Sequence, residues 1–174
     1  SGAEHLFSHV WEMEGLTRNG EEVSHGFKVG VGLLASTLLM EYILEHDASE
    51  AEKAMKPALS VEERTAEIDE LLKLGCYGTA PKETALKKFM SGEKIAARRR
   101  LILDRWQELQ SGIRDRLIPY SEARKLLADA GCPTTPAEIG LDREQFLHGI
   151  KTAQLIRNRY TVLDLLYEAG LLDE

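Results

Sequence analysis

The chain has 174 residues, of which 43% are apolar and 29% charged, with a formal net charge of -7 and a pI near 5.3. This describes one folded domain with a sizeable core and excludes a disordered chain; the acidity and the lack of a basic stripe argue against a nucleic-acid partner. Cys76 and Cys132 are too few for a disulfide scaffold and have no metal-ligand spacing, so both are expected as buried, reduced thiols in a cytoplasmic protein.

The N-terminus lacks the basic n-region and apolar core of a signal peptide. A first helix is predicted from Ala3 to Leu16, with Leu6, Phe7, Val10, Trp11 and Met13 close to a 3.6-residue period. Thr17 to Glu22 is polar and contains Gly20, which predicts a loop; Asn19-Gly20 is not flanked by β-branched runs, so no hairpin is expected. A second helix, Gly26 to His46, is the expected spine of the fold. Its apolar stretch Phe27 to Leu44 approaches the ~20 residues that cross a bilayer. Lys28, Glu41 and the missing aromatic and basic flanks instead predict a buried helix, with no membrane insertion. Gly30-x-Gly32 lies inside this helix and follows no strand, so it predicts close helix–helix packing rather than a phosphate loop.

Ala48 to Met55 forms a short helix before Pro57. Ser60-x-x-Glu63 is a capping box that opens a helix through Leu74, ended by Gly75. Pro81 begins another, to about Met90. Gly92 to Leu117 is predicted as one long charged helix, in which Arg98, Arg99 and Arg100 form a solvated face. Ser121 is expected to cap a helix that ends at Ala130 before Gly131. Thr135-Pro136, Asp142-x-x-Gln145 and Thr161-x-x-Asp164 mark three further starts, the last helix ending before Gly170. Eight or nine helices and no strand predict an all-α, multi-helix bundle, a single domain over 1–174.

Three of the five histidines lie in the first 25 residues. His5 and His9, four apart, share a helix face. His25 precedes Gly26 at the head of the second helix. The first helix is about 20 Å long and the eight-residue connection can span about 26 Å, so His25 can return beside His5. A shared metal at His5 and His25, with His9 one turn along, and three unrelated surface histidines are both compatible with the spacing. His46 is expected at the C-terminal dipole of the second helix, and His148 is given no chemistry.

The segments Glu4-His5-Leu6-Phe7-Ser8-His9-Val10-Trp11-Glu12 and Ser24-His25-Gly26-Phe27-Lys28-Val29-Gly30 resemble the glycerol-1-phosphate dehydrogenases of the iron-containing alcohol dehydrogenase superfamily. Ile156 to Asp164 is similar to the C-terminal part of the same family. The resemblance implies a two-domain enzyme whose N-terminal α/β domain binds NAD or NADP and whose all-α C-terminal domain carries most of the metal ligands. This chain would be the C-terminal half, with that N-terminal nucleotide-binding domain as its partner. The implied reaction is hydride transfer between nicotinamide and dihydroxyacetone phosphate, giving sn-glycerol 1-phosphate. His5 and His25 are then metal ligands, and His9 lies near nicotinamide and substrate in a proton-transfer role. The metal is divalent, zinc first, with nickel or iron as alternatives.

The family's aspartate ligand lies upstream of the first histidine motif, so the isolated chain is expected not to turn over. The complete enzyme is expected to be a homo-oligomer acting on a phosphorylated triose or polyol. Two other readings stay open: a glycerol dehydrogenase-like domain with an unphosphorylated substrate, and a non-catalytic helical interaction module. Arg157 and Arg159 are candidates for a phosphate site, with structural ion pairs as the alternative.

Overall fold

The computed structural model describes residues 2–172. Ten α-helices and two 3-10 turns make up nearly all of the regular structure among these residues, around one principal core. The first helix, α1 (Ala3–Met13), buries Leu6, Phe7, Val10 and Trp11 on its inner stripe. It ends three residues sooner than predicted: Gly15 takes a left-handed φ of 72°, and Leu16 N–H donates to the Trp11 carbonyl at 2.9 Å.

The connection that follows is a hairpin, contrary to expectation. Strands β1 (Thr17–Arg18) and β2 (Glu21–Glu22) pair antiparallel, Thr17 opposite Glu22 and Arg18 opposite Glu21. Asn19 and Gly20 both take positive φ, 54° and 82°, as a type I′ turn requires. Turn chemistry decided the conformation here, because four exposed polar strand residues give no alternating pattern.

Helix α2 (His25–Glu45) has Ser24 at its N-cap, whose side chain accepts from Phe27 N–H. By length and composition α2 could cross a membrane. It packs against α1 and against three helices defined below, but is not enclosed on all sides, since Phe27, Leu33 and Leu38 are exposed. Gly32 is where α2 meets α1. A Cβ there would lie 2.6 Å from the Glu4 carbonyl oxygen and 3.2 Å from Phe7 Cβ. At Gly30 the nearest atom would be Leu127 Cδ2 at 3.7 Å. Gly32→Ala should therefore cost about 1–3 kcal/mol by overpacking, while Gly30→Ala should be neutral or stabilising through helix propensity. Urea unfolding of the two variants checks the contrast; equal midpoints would contradict it.

Downstream come α3 (Ala48–Ala54), α4 (Val61–Leu71) with a 3-10 turn over Leu72–Leu74, and α5 (Ala80–Lys88). The capping boxes at Ser60, Thr135, Asp142 and Thr161 all form. The predicted Gly92–Leu117 helix is two, α6 (Gly92–Asp104) and α7 (Trp106–Arg114), broken at Arg105 with φ -110° and ψ 15°. The break lets α7 close the end of α2. Trp106 Nε1 donates to the His46 carbonyl at 2.8 Å, and Gln110 Nε2 donates to the Ile43 and His46 carbonyls at 2.9 Å each. His46 is the α2 C-cap, with Nδ1 2.7 Å from the Tyr42 carbonyl.

Helix α8 (Tyr120–Asp129) starts after Pro119; Ser121 lies within its first turn and does not cap it. A 3-10 turn over Pro136–Ile139, α9 (Arg143–Ala153) and α10 (Val162–Glu168) complete the fold. The helices packed on α2 besides α1 are α7, α8 and α10. The cysteine expectation fails: both thiols are free, but Cys76 is exposed and Cys132 only half-buried.

Candidate metal centre

The hairpin reverses the chain, and the Gly32 contact seats α2 on α1, so the head of α2 lies over the outer face of α1. The three N-terminal histidines come together there. The imidazole of His25 lies 5.8 Å from that of His5 and 6.1 Å from that of His9, between ring centres. All three side chains remain open to solvent, at 56%, 38% and 52% exposure for His5, His9 and His25.

Each Nδ1 faces a carboxylate. His25 Nδ1 is 2.9 Å from Glu12 Oε1, His9 Nδ1 is 3.4 Å from Glu12 Oε2, and His5 Nδ1 is 3.5 Å from Glu4 Oε1. A carboxylate only accepts, so the His25 proton sits on Nδ1 and leaves the Nε2 lone pair for another partner. Carboxylate–imidazole pairing of this kind also fixes ring orientation at metal sites. Two imidazoles on one ion, with ligands near 2.1 Å, have ring centres roughly 5–6 Å apart, which both separations approach. The donor chemistry therefore fits a divalent ion, but only in part: among the described residues, no group of three His, Cys, Asp or Glu side chains is placed to hold one.

Glu12 is the hub, and residue spacing did not single it out. Besides the two histidines it accepts from Ser8 Oγ at 3.2 Å and pairs with Lys28 Nζ at 3.0 Å. Lys28 is 1% exposed. The signal was available: a lysine in the apolar stretch of α2 must find an acid if it is buried, and Glu12 lies on the helix that packs there. Burial raises the Glu12 carboxyl, but hydrogen bonds from His25 and Lys28, the Lys28 charge and the Ser8 hydroxyl together bring it down to about 2 from the ordinary 4.5. A depressed carboxyl stabilises the fold above its unfolded value and loses that contribution as pH falls through the folded one. Stability should fall between about pH 4.5 and 2, and Glu12→Gln should flatten that slope. Urea midpoints across the range measure it; an unchanged slope would contradict the assignment.

Of the other singled-out residues, His148 joins a separate cluster. Its Nε2 is 3.1 Å from Glu14 Oε1 and 3.1 Å from Thr152 Oγ1, and Glu14 also accepts from Tyr77. Arg159 reaches over the start of α1, its Nη1 3.0 Å from where a Cβ on Gly2 would stand. Arg157 is exposed. Gly30-x-Gly32 lies within α2, and of the two only Gly32 makes the expected close helix contact.

Among curated proteins, the chain is 31% identical to a glycerol-1-phosphate dehydrogenase [NAD(P)+] of Geobacillus thermodenitrificans, covering 99% of this chain and 34% of the relative. It is 30% identical to the protein of the same name from Geobacillus stearothermophilus, over 97% of this chain and 33% of the relative. A third, from Haloquadratum walsbyi and again of that name, is 46% identical over 44 residues, 25% of this chain and 13% of the relative. The chain thus spans about a third of the length of the first two relatives. No family model and no solved structure matches it.

Proposed function

Since the chain belongs to the glycerol-1-phosphate dehydrogenase family, matching about a third of its relatives' length, we propose that it is the metal-binding helical part of an NAD(P)-dependent enzyme interconverting dihydroxyacetone phosphate and sn-glycerol 1-phosphate. The observation that carries this reading is the convergence of His5, His9 and His25 with their Nδ1 atoms turned to carboxylates. His5 and His25 would hold the divalent ion, zinc first and nickel or iron next, with further ligands and the nicotinamide supplied by protein outside this segment. Held there, the ion would supply Lewis acidity to a carbonyl, and the nicotinamide would supply the hydride. His9, held through Nδ1 by Glu12, presents Nε2 to the carbonyl oxygen and delivers the proton that completes the alcohol. Arg159, beside the start of the helix that bears His5, is the group proposed to receive the substrate phosphate.

The test replaces the matching third of the Geobacillus thermodenitrificans relative with this chain. A folded, nicotinamide-binding chimera should oxidise NAD(P)H with dihydroxyacetone phosphate and far less with dihydroxyacetone. A chimera of that kind that reduced neither, or preferred the unphosphorylated ketone, would overturn the proposal.

A further inference from the structure

A second polar site lies between α4, α5, α6 and α10, away from the histidines. It is a cavity of about 50 Å³ whose lining includes Arg64, Lys88, Arg99, Asp164, Tyr167 and Glu168, and no residue of α1 or α2 contributes to it. The arginine run expected to be a solvated face does not behave as one. Arg99 is half-buried and its Nε is enclosed without a hydrogen-bond partner. Arg64, 3% exposed, has the same defect at its own Nε. Two arginines that line one small cavity thus each carry an enclosed N–H without an acceptor, which is costly unless something accepts from it.

The other polar side chains around the cavity are engaged. Arg64 stacks 4.2 Å above the Tyr167 ring and donates to Glu67 at 2.5 Å and to Gln154 Oε1 at 3.2 Å. Lys88 donates to Asp164 at 2.5 Å, and the other Asp164 oxygen accepts from Thr161. Glu168 accepts from Tyr160 at 2.8 Å and lies 3.7 Å from Arg98. Each of these carboxylates therefore already faces a cation. Arg99 donates to the Lys56 carbonyl at 2.7 Å and, without a direct ion pair among the described residues, shares the field of Glu168 with Arg98, so that Arg64, Lys88, Arg98 and Arg99 face only Glu67, Asp164 and Glu168.

The geometry points to a small tetrahedral oxyanion, of the size and charge of inorganic phosphate, bound in this cavity by the Nε–H groups of Arg64 and Arg99. One enclosed water needs about 10–15 Å³, so the space takes roughly three to five non-hydrogen atoms. It is too small to enclose a nucleotide. The inference is independent of the histidine site and of the proposed reaction.

The test follows the melting midpoint of the 174-residue chain against inorganic phosphate at constant ionic strength, with chloride as the reference salt. Saturable stabilisation by about 2–5 °C is expected. Arg99→Gln should weaken apparent affinity at least tenfold. Arg64→Lys keeps the charge but removes the Nε donor, so it should also weaken binding; circular dichroism confirms its fold. Arg105→Gln, on the exposed face, should change nothing. No saturation beyond chloride, or full binding retained by a folded Arg99→Gln, would overturn the inference, as would a crystal structure grown in phosphate that shows only water in the cavity.

Discussion

Truncating Glu12 to alanine should destabilise the chain by about 2–3 kcal/mol, toward the upper end of the loss when an enclosed donor is left without its acceptor. The reason is Lys28 rather than the histidines. Its ammonium is enclosed, and the next carboxylate, Glu22, stands 3.9 Å away on a side chain that is 86% exposed. Without Glu12 a desolvated charge has almost no counter-ion. Lys28→Met should cost much less, because Glu12 is 30% exposed and keeps Ser8 and His25 as partners. The double variant Glu12→Ala/Lys28→Met should recover most of the loss seen with Glu12→Ala alone. Chemical denaturation of the four proteins gives the cycle. A double variant as unstable as the sum of the singles would show that the two residues do not act as a pair.

In the chimera, the largest effects should fall on metal retention. His5→Ala or His25→Ala should strip the ion and with it nearly all turnover, since one imidazole would be left to hold it from this segment. His9→Ala should leave the metal in place and lower kcat by roughly 10²–10⁴, the range for loss of a proton-transfer group. His46→Ala, at the far end of α2, should alter neither. Metal content by mass spectrometry and steady-state rates read both quantities on one sample. If His9→Ala loses metal as readily as His25→Ala, the division of roles between these histidines is wrong.

Most helix starts were legible because they are local chemistry. Ser60-x-x-Glu63, Asp142-x-x-Gln145 and Thr161-x-x-Asp164 satisfy their own backbone donors and need no distant residue. The break at Arg105 was not legible, since its cause lies elsewhere in the chain: Trp106 and Gln110 turn to the last carbonyls of α2. The same distinction separates the two halves of the candidate site. Chain length allowed the return of His25 toward His5 without requiring it. The hub at Glu12 depends on Lys28 being buried, which is a property of the packed helices. Arg99 looked solvated because charge runs on helices usually are; only the neighbouring helices and the loop before α4 determine that its Nε is enclosed.

The seat of Gly32 on the Glu4 carbonyl bears on how relatives of this segment can be found. His25 and Gly32 stand seven residues apart, nearly two turns, and so lie on similar sides of α2. With the glycine seated, His25 is placed over α1 from its own helix, and the hairpin before it has only to close the gap. That connection can lengthen or shorten over evolutionary time without moving the imidazole. A search pattern with a fixed interval between the His-x-x-x-His pair and the third histidine would miss such relatives. One that lets the interval vary, but keeps a small residue seven positions after the third histidine, would retain them.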